Sequence, residues 1–234
     1  MLDFNKYEVF SFDCYGTLID WEKGIIEALR PVLVLHNINL NDDEILMLYA
    51  QIEPKVEEGK FIKYKEVLRR VMQEFSKRLG FRLSPVQLDC LVNSLKNWKP
   101  FPDTVDALQA LKKSFKLAII SNVDDDLFAL SAKHLKVKFD WIITSEQTQS
   151  YKPSLTIFES AIKKIGVSPK KILHVAQSIF HDIVPAEKLG LSTVWVNRRQ
   201  GKKGFGATPK ARGHFDLEVP DLKTLVSVIG LDLK

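Results

Sequence analysis

The chain of 234 residues is 45% hydrophobic and 27% charged, with a formal net charge of +5. Such a composition belongs to a globular chain with room for one large domain or two modest ones, and no apolar run approaches the ~18 residues a transmembrane helix needs. Two cysteines, Cys14 and Cys90, are too few for a disulfide scaffold, and the start of the chain lacks the basic-then-apolar pattern of a secretory leader; both point to the reducing cytoplasm.

The first element is a strand over 7–13, YEVFSFD, ending on Asp13. Cys14, next in line, reads as a small buried filler. From about Trp21 to Trp98 the apolar residues recur at three- and four-residue spacing, in GIIEALRPVLVLH, DDEILMLYAQI, FIKYKEVLRRVMQEF and SPVQLDCLVNSL. Asp42 or Asp43 and Ser84 suit helix N-caps, and Pro85 a first helical turn. After NWKPFPDT a helix over 103–113 leads to a strand over 115–121. Then come a helix near 125–133, a strand over 140–145 and a helix over 154–165. A strand over 171–177, a helix near 183–189 and a strand over 192–197 complete the series.

Strands alternating with helices predict a parallel sheet with right-handed crossovers. The expected fold is α/β, a doubly wound parallel sheet with an inserted all-helical cap domain. The cap would occupy 18–96, and 1–17 with 97–234 would form the sheet domain. The strands end on Asp13, on Ser121 and Asn122, on Thr144 and Ser145, and on Gln177 and Ser178. Open α/β sheets bind ligands beyond those carboxyl ends, so one edge gathers a carboxylate, hydroxyls and amides under the helical lid.

The positive charge concentrates in RRQGKKGFGATPKARG, 198–213, with six Lys or Arg and no acid. Nucleic-acid binding would want aromatics interleaved with such a patch. Only Phe205 is present, so the segment reads as a solvated loop or one that reaches toward an anionic small molecule. Neither a nucleic acid nor a membrane is expected as a partner.

FDCYGTLID, LAIISN, SYKPS and HVAQSIFHD resemble, in order and spacing, the four motifs of the haloacid dehalogenase superfamily. The resemblance implies a Rossmann-like core with a cap after the first strand. Phosphatases of that superfamily carry a second Asp at the position of Tyr15 and a Mg²⁺-binding acid at that of Gln177. With both missing here, the chain resembles the L-2-haloacid dehalogenase branch, which implies a hydrolase attacking carbon. Asp13, Lys152 and Asp182 are then the catalytic set, with Asp13 as nucleophile. Tyr15, Thr17, Ser121, Asn122, Gln177 and Ser178 are the candidate substrate-binding residues. No metal and no cofactor are expected. His174 and His181 are read as structural neighbours. A Mg²⁺-dependent phosphatase acting on a small phosphate ester is the alternative.

That branch also carries an Arg on an early cap helix that meets the substrate carboxylate or the departing halide; Ala50 falls there, in LYAQIEP. The carboxylate must then be held elsewhere, by the Ser121–Asn122 turn or by 198–204. FDCYGTLIDWE, FPDTVDALQALKK, SYKP and RRQGKKGFGAT are also similar to azetidine-2-carboxylate hydrolases, relatives within the branch that open a strained ring with an amine as leaving group. The expected partner is a small carboxylic acid, and the expected assembly a monomer or homodimer.

Overall fold

The computed structural model describes residues 2–202, 204 and 206–233; Lys203 and Phe205 of the basic segment lie outside the described residues. The strands are β1 (Val9–Phe12), β2 (Lys116–Ser121), β3 (Trp141–Thr144), β4 (Ile172–Ala176), β5 (Ser192–Val196) and β6 (Leu217–Val219). They form one parallel sheet in the order β3-β2-β1-β4-β5-β6. The first five match the sequence expectation to within a residue or two at each end. β6 was not foreseen, because three residues, Leu-Glu-Val, carry too little pattern to stand out.

The inner strands β1 and β4 are buried on both faces and apolar but for Ser11 and His174, as a sheet covered on two sides requires. One face sends Phe10, Phe12, Leu117, Leu173 and Val194 against α6 (Thr104–Lys112) and α11 (Leu222–Ile229). The other sends Val9, Ala118, Ile120 and Ile143 against α9 (Leu155–Ile165) and the start of α10 (Val184–Lys188). The strand order reverses between β1 and β4, and a crevice opens outside the carboxyl ends of such a pair.

Between β1 and α6 the long elements are all helices: α1 (Trp21–Leu35), α2 (Asp42–Glu57), α3 (Tyr64–Leu79), α4 (Pro85–Leu88) and α5 (Cys90–Ser94). They form the cap. We propose 18–96 as its extent. Its two connections run side by side: Ile19 bridges Pro100, Asp20 N donates to Lys99 O, and Phe101 N donates to Leu18 O. Asn41, rather than Asp42 or Asp43, caps α2 in a reciprocal box with Glu44, which leaves both aspartates in the first turn beside the helix dipole. Ser84 caps α4 with Pro85 following, as expected, but Asp89 divides the anticipated single helix into α4 and α5.

The basic segment begins with structural work. Arg198 donates to both oxygens of Asp103 at 2.8 and 3.0 Å and to Thr17 O, and its guanidinium lies 4.2 Å over the Phe101 ring. Asp103 also accepts from Leu222 N at the start of α11. One buried ion pair thus ties the loop after β1 to α6 and α11. Arg198→Ala strands Asp103, so a loss of about 3 kcal/mol is expected, measured by urea unfolding.

Candidate active site

Asp13 leaves β1 at its carboxyl end, where its N–H still donates to Val175 O of β4. Gly16 then turns the chain at φ +94, and a Cβ there would come within 2.8 Å of Trp21 Nε1. Only glycine suits that turn. The turn brings Thr17 back under Asp13: Thr17 Oγ1 donates to Asp13 Oδ2 at 2.6 Å and accepts from Gln177 N at 2.9 Å. Thr17 is fully buried and does not line the cavity, so it holds Asp13 rather than meeting a ligand. Cys14 is fully buried, and burial pushes its thiol well above the usual range, with Asp13 adding to the effect. It is the filler the sequence suggested.

Lys152 arrives between α8 (Ser145–Thr148) and α9. Its Nζ donates to Asp13 Oδ1 at 2.7 Å, Asp182 Oδ1 at 2.8 Å and Ile120 O at 3.0 Å. All three donors of the ammonium are used. Asn122, at the end of β2, clasps this loop by its backbone: Lys152 N donates to Asn122 Oδ1 at 2.7 Å, and Asn122 Nδ2 donates to Lys152 O at 3.1 Å. Asp182 lies in a π-helical turn, Ile179–Ile183, which follows β4 and is capped by Ser178. The cap of that turn is Ser178, not Asp182, whose side chain turns inward. His174 on β4 bridges Ser11 Oγ (2.9 Å) and Asp182 Oδ1 (3.1 Å).

The charges settle accordingly. Burial pushes the Asp13 carboxyl up, and Lys152 and Thr17 pull only part of the way back. Burial would raise Asp182 too, but Lys152 and His174 outweigh it and hold that carboxyl below its ordinary range. Burial disfavours the charged Lys152, yet the two carboxylates more than offset it and keep the ammonium protonated.

Above this triad is a cavity of about 40 Å³. Tyr15, Ser121, Asn122, Gln177 and Ser178 line it beside Asp13, Lys152 and Asp182. Ser121 Oγ is buried there without a partner. Tyr15 is fixed by Ser131 Oγ at 2.8 Å and by the edge of Trp98. Arg198 and Arg199 are outside the lining; Arg199 pairs with Glu22 at 2.6 Å. The 198–204 loop thus sends neither arginine into the cavity.

The cap supplies a wall that sequence reasoning missed. Ala50 faces away, into a surface groove with Asn39 and Lys210. The residues of α2 that turn inward are Tyr49, Glu53 and Glu57, four apart along one face, joined by Tyr64 of α3. Asp124 places that start of α3, accepting from Tyr64 N and Lys65 N at 2.8 and 3.0 Å, a helix cap supplied from the sheet domain. Acids at 53 and 57 amid apolar positions were the available signal, and helical period alone does not say which partner they face.

A Mg²⁺ site of the phosphatase kind finds no fitting donors. Tyr15 and Gln177 are neutral where acids would stand, and Lys152 already spans Asp13 and Asp182. A family model for haloacid dehalogenase-like hydrolases matches residues 7–190, from β1 through α10. The chain belongs to that family. This haloacid dehalogenase-like hydrolase is 26% identical to haloacetate dehalogenase H-2 of Moraxella sp. (strain B), over 97% of this chain and 99% of the relative. It is 26% identical to an (S)-2-haloacid dehalogenase of Pseudomonas sp. (strain YL), over 93% and 92%. L-2-haloacid dehalogenase from Xanthobacter autotrophicus, in a structure with chloropropionic acid covalently bound, superposes with a TM-score of 0.78 at 20% identity, covering 96% of this chain and 98% of that one. YfnB of Bacillus subtilis, bound to magnesium, superposes with a TM-score of 0.76 at 23% identity, covering 96% and 99%. The hydrolase fold alone therefore does not choose between these chemistries.

Lys152→Met leaves two buried carboxylates without their cation, so a loss of about 3–5 kcal/mol is expected at neutral pH. The loss should shrink in acid, where both carboxyls take up protons; denaturant titrations at pH 7 and pH 4.5 check it. Burial pushes Glu53 up to about 7, only partly countered by Tyr64. With its folded pKa above the unfolded one, Glu53 binds more protons when folded, so stability falls as pH rises from about 4.5 to about 7, by on the order of 3 kcal/mol. Glu53→Gln should flatten that decline in unfolding curves taken across the same window.

Proposed function

We propose that this chain is a metal-independent hydrolase acting at the α-carbon of a small 2-substituted carboxylic acid, through an ester on Asp13. The observation that carries the reading is Lys152 Nζ between Asp13 and Asp182, with Tyr15 and Gln177 in place of acids. Such a centre can aim a carboxylate at carbon, and it lacks the hard anionic donors that phosphoryl transfer through Mg²⁺ requires.

In the proposed reaction one Asp13 oxygen attacks the α-carbon, and the leaving group, a halide or a strained ring nitrogen, departs with the bonding pair. Lys152 and Thr17 keep the nucleophile ionised and oriented. Water then attacks the Asp13 carbonyl carbon of the ester, releasing the hydroxy acid and restoring the carboxylate. Asp182 Oδ2 is buried and unpartnered, which supports a role in orienting that water. Ser121 Oγ, which has no partner, is the group we assign to the substrate carboxylate, since Lys152 and the Asn122 side chain have no donor to spare.

The test is one turnover in H₂¹⁸O with enzyme in excess, using 2-chloropropionate and azetidine-2-carboxylate as substrates. An ester route puts the label on the peptide containing Asp13 and leaves the first product unlabelled. Label in the product instead would make Asp13 a general base for water and end the ester reading. Turnover should also persist in EDTA; activity lost to chelator and restored by Mg²⁺ would favour the phosphatase alternative.

A further inference from the structure

The cap wall of the cavity carries acids where an anionic substrate would call for a cation. Glu53 is 4% exposed, and its Oε2 has no partner, while Oε1 accepts from Tyr64 OH at 3.2 Å. Glu57 Oε1 is likewise buried and unpartnered; its Oε2 meets only Asn122 Nδ2, at 3.4 Å. His181 Nε2, from the π-helical turn of the sheet domain, is a third buried atom without a partner. One carboxylate oxygen from each glutamate and one imidazole nitrogen lie within 4.8 Å of one another.

Glu53 from the cap and His181 from the sheet domain both line the cavity beside Asp13, and Glu57 adjoins them from the next turn of α2, outside the lining. Among the described lining residues Lys152 is the one cation, and its donors are spent on Asp13, Asp182 and Ile120. Burial raises both carboxyls, and the charge of Glu53 raises Glu57 further, so a cation between them would favour their ionised forms.

We propose that Glu53, Glu57 and His181 form the receptor for a substrate ammonium group, so that the substrate class is a small amino acid carrying its cationic nitrogen toward the cap. The inference rests on the proposed reaction in taking the cavity over Asp13 as the substrate site. An N–H of the ammonium meets each free glutamate oxygen. His181 completes the set as the tautomer whose Nδ1–H donates to Ser178 Oγ, 3.2 Å away, leaving the Nε2 lone pair toward the ligand. Burial holds His181 down to about 4, so its imidazole stays neutral beside the cation. The same wall disfavours a leaving group that departs as an anion on this side. Of the two bonds considered for the hydrolase, carbon–halide and strained carbon–nitrogen, it favours the second.

The test compares ligands of equal shape that differ in the ammonium, and needs no turnover. L-alanine is paired with isobutyrate, and L-proline with cyclopentanecarboxylate; none offers Asp13 a leaving group. Isothermal titration of the full-length wild-type protein should show each amino acid binding about tenfold or more tighter than its hydrocarbon partner. Glu53→Gln and Glu57→Gln should each remove most of that preference while moving the hydrocarbon acids by about twofold or less, with thermal melts confirming the fold. If Glu53→Gln does not fold, Glu57→Gln, at the end of α2, carries the comparison.

Equal binding within each pair, a preference that survives both variants, or no binding of either amino acid at tens of millimolar overturns the proposal. Equilibrium dialysis with Mn²⁺ and Zn²⁺ is the control. One ion bound per chain and lost in Glu57→Gln would assign the cluster to a metal and overturn the ammonium assignment. A failed isotope test with the binding preference intact removes the ester and leaves the receptor standing; the reverse pair of results removes the receptor alone.

Discussion

A single buried ammonium holds the carboxyl edge of the sheet together. Asp13 stands at the end of β1 and Asp182 in the turn after β4, the two strands that flank the reversal of strand order, and each is nearly sealed from water. Burying one charge costs several kcal/mol even after relaxation, and two like charges side by side would cost more. Lys152 makes the arrangement tolerable because its three N–H groups all find oxygen, two on the carboxylates and one on Ile120 O. The surrounding polar residues serve that geometry. Thr17, itself held by Gln177 N, holds the far oxygen of Asp13; His174, itself held by Ser11, holds Asp182; and Asn122 grips the backbone N–H and carbonyl of Lys152.

That economy has a consequence for ligands. A lysine fully engaged by two acids neutralises the centre only in part and has nothing left for a substrate carboxylate. The free polar atoms around the cavity divide into two kinds. On the sheet side is the unpartnered hydroxyl of Ser121, suited to an anion. On the cap side are the glutamates of α2, suited to a cation. A zwitterion matches both walls at once, whereas a simple 2-haloacid matches only one. The proposed ester and the proposed ammonium receptor therefore fit one pocket, although they rest on different atoms.

Much of the sheet domain was legible because its signals are local. Apolar strand runs, the alternation with helices, and Asp, Ser or Asn at the strand ends are set by neighbours in sequence. Asp13, Lys152 and Asp182 could be named for the same reason, since each sits in a short stretch resembling a motif of the family. The cap was legible only as helices. Its period identified buried faces without saying that one of them meets the cavity instead of another helix. Ala50 lies on the face of α2 turned to the surface groove, one residue from the buried Tyr49. Arg198 was likewise misread: a basic run looks solvated in sequence, yet this arginine is sealed against Asp103 and Phe101.

The sequence by itself determined the class of the fold, the strand that presents Asp13, and the absence of acids at Tyr15 and Gln177. Each is a property of residue type and order along a short stretch. Only the tertiary structure decided what each charged group faces. Lys152 lies 139 residues from Asp13, and Glu53 is 128 residues from His181; they meet because the chain leaves the sheet after β1, builds the cap, and returns. Electrostatic energy in a buried site depends on separations of a few ångströms and on solvent exclusion, and neither is encoded in spacing along the chain.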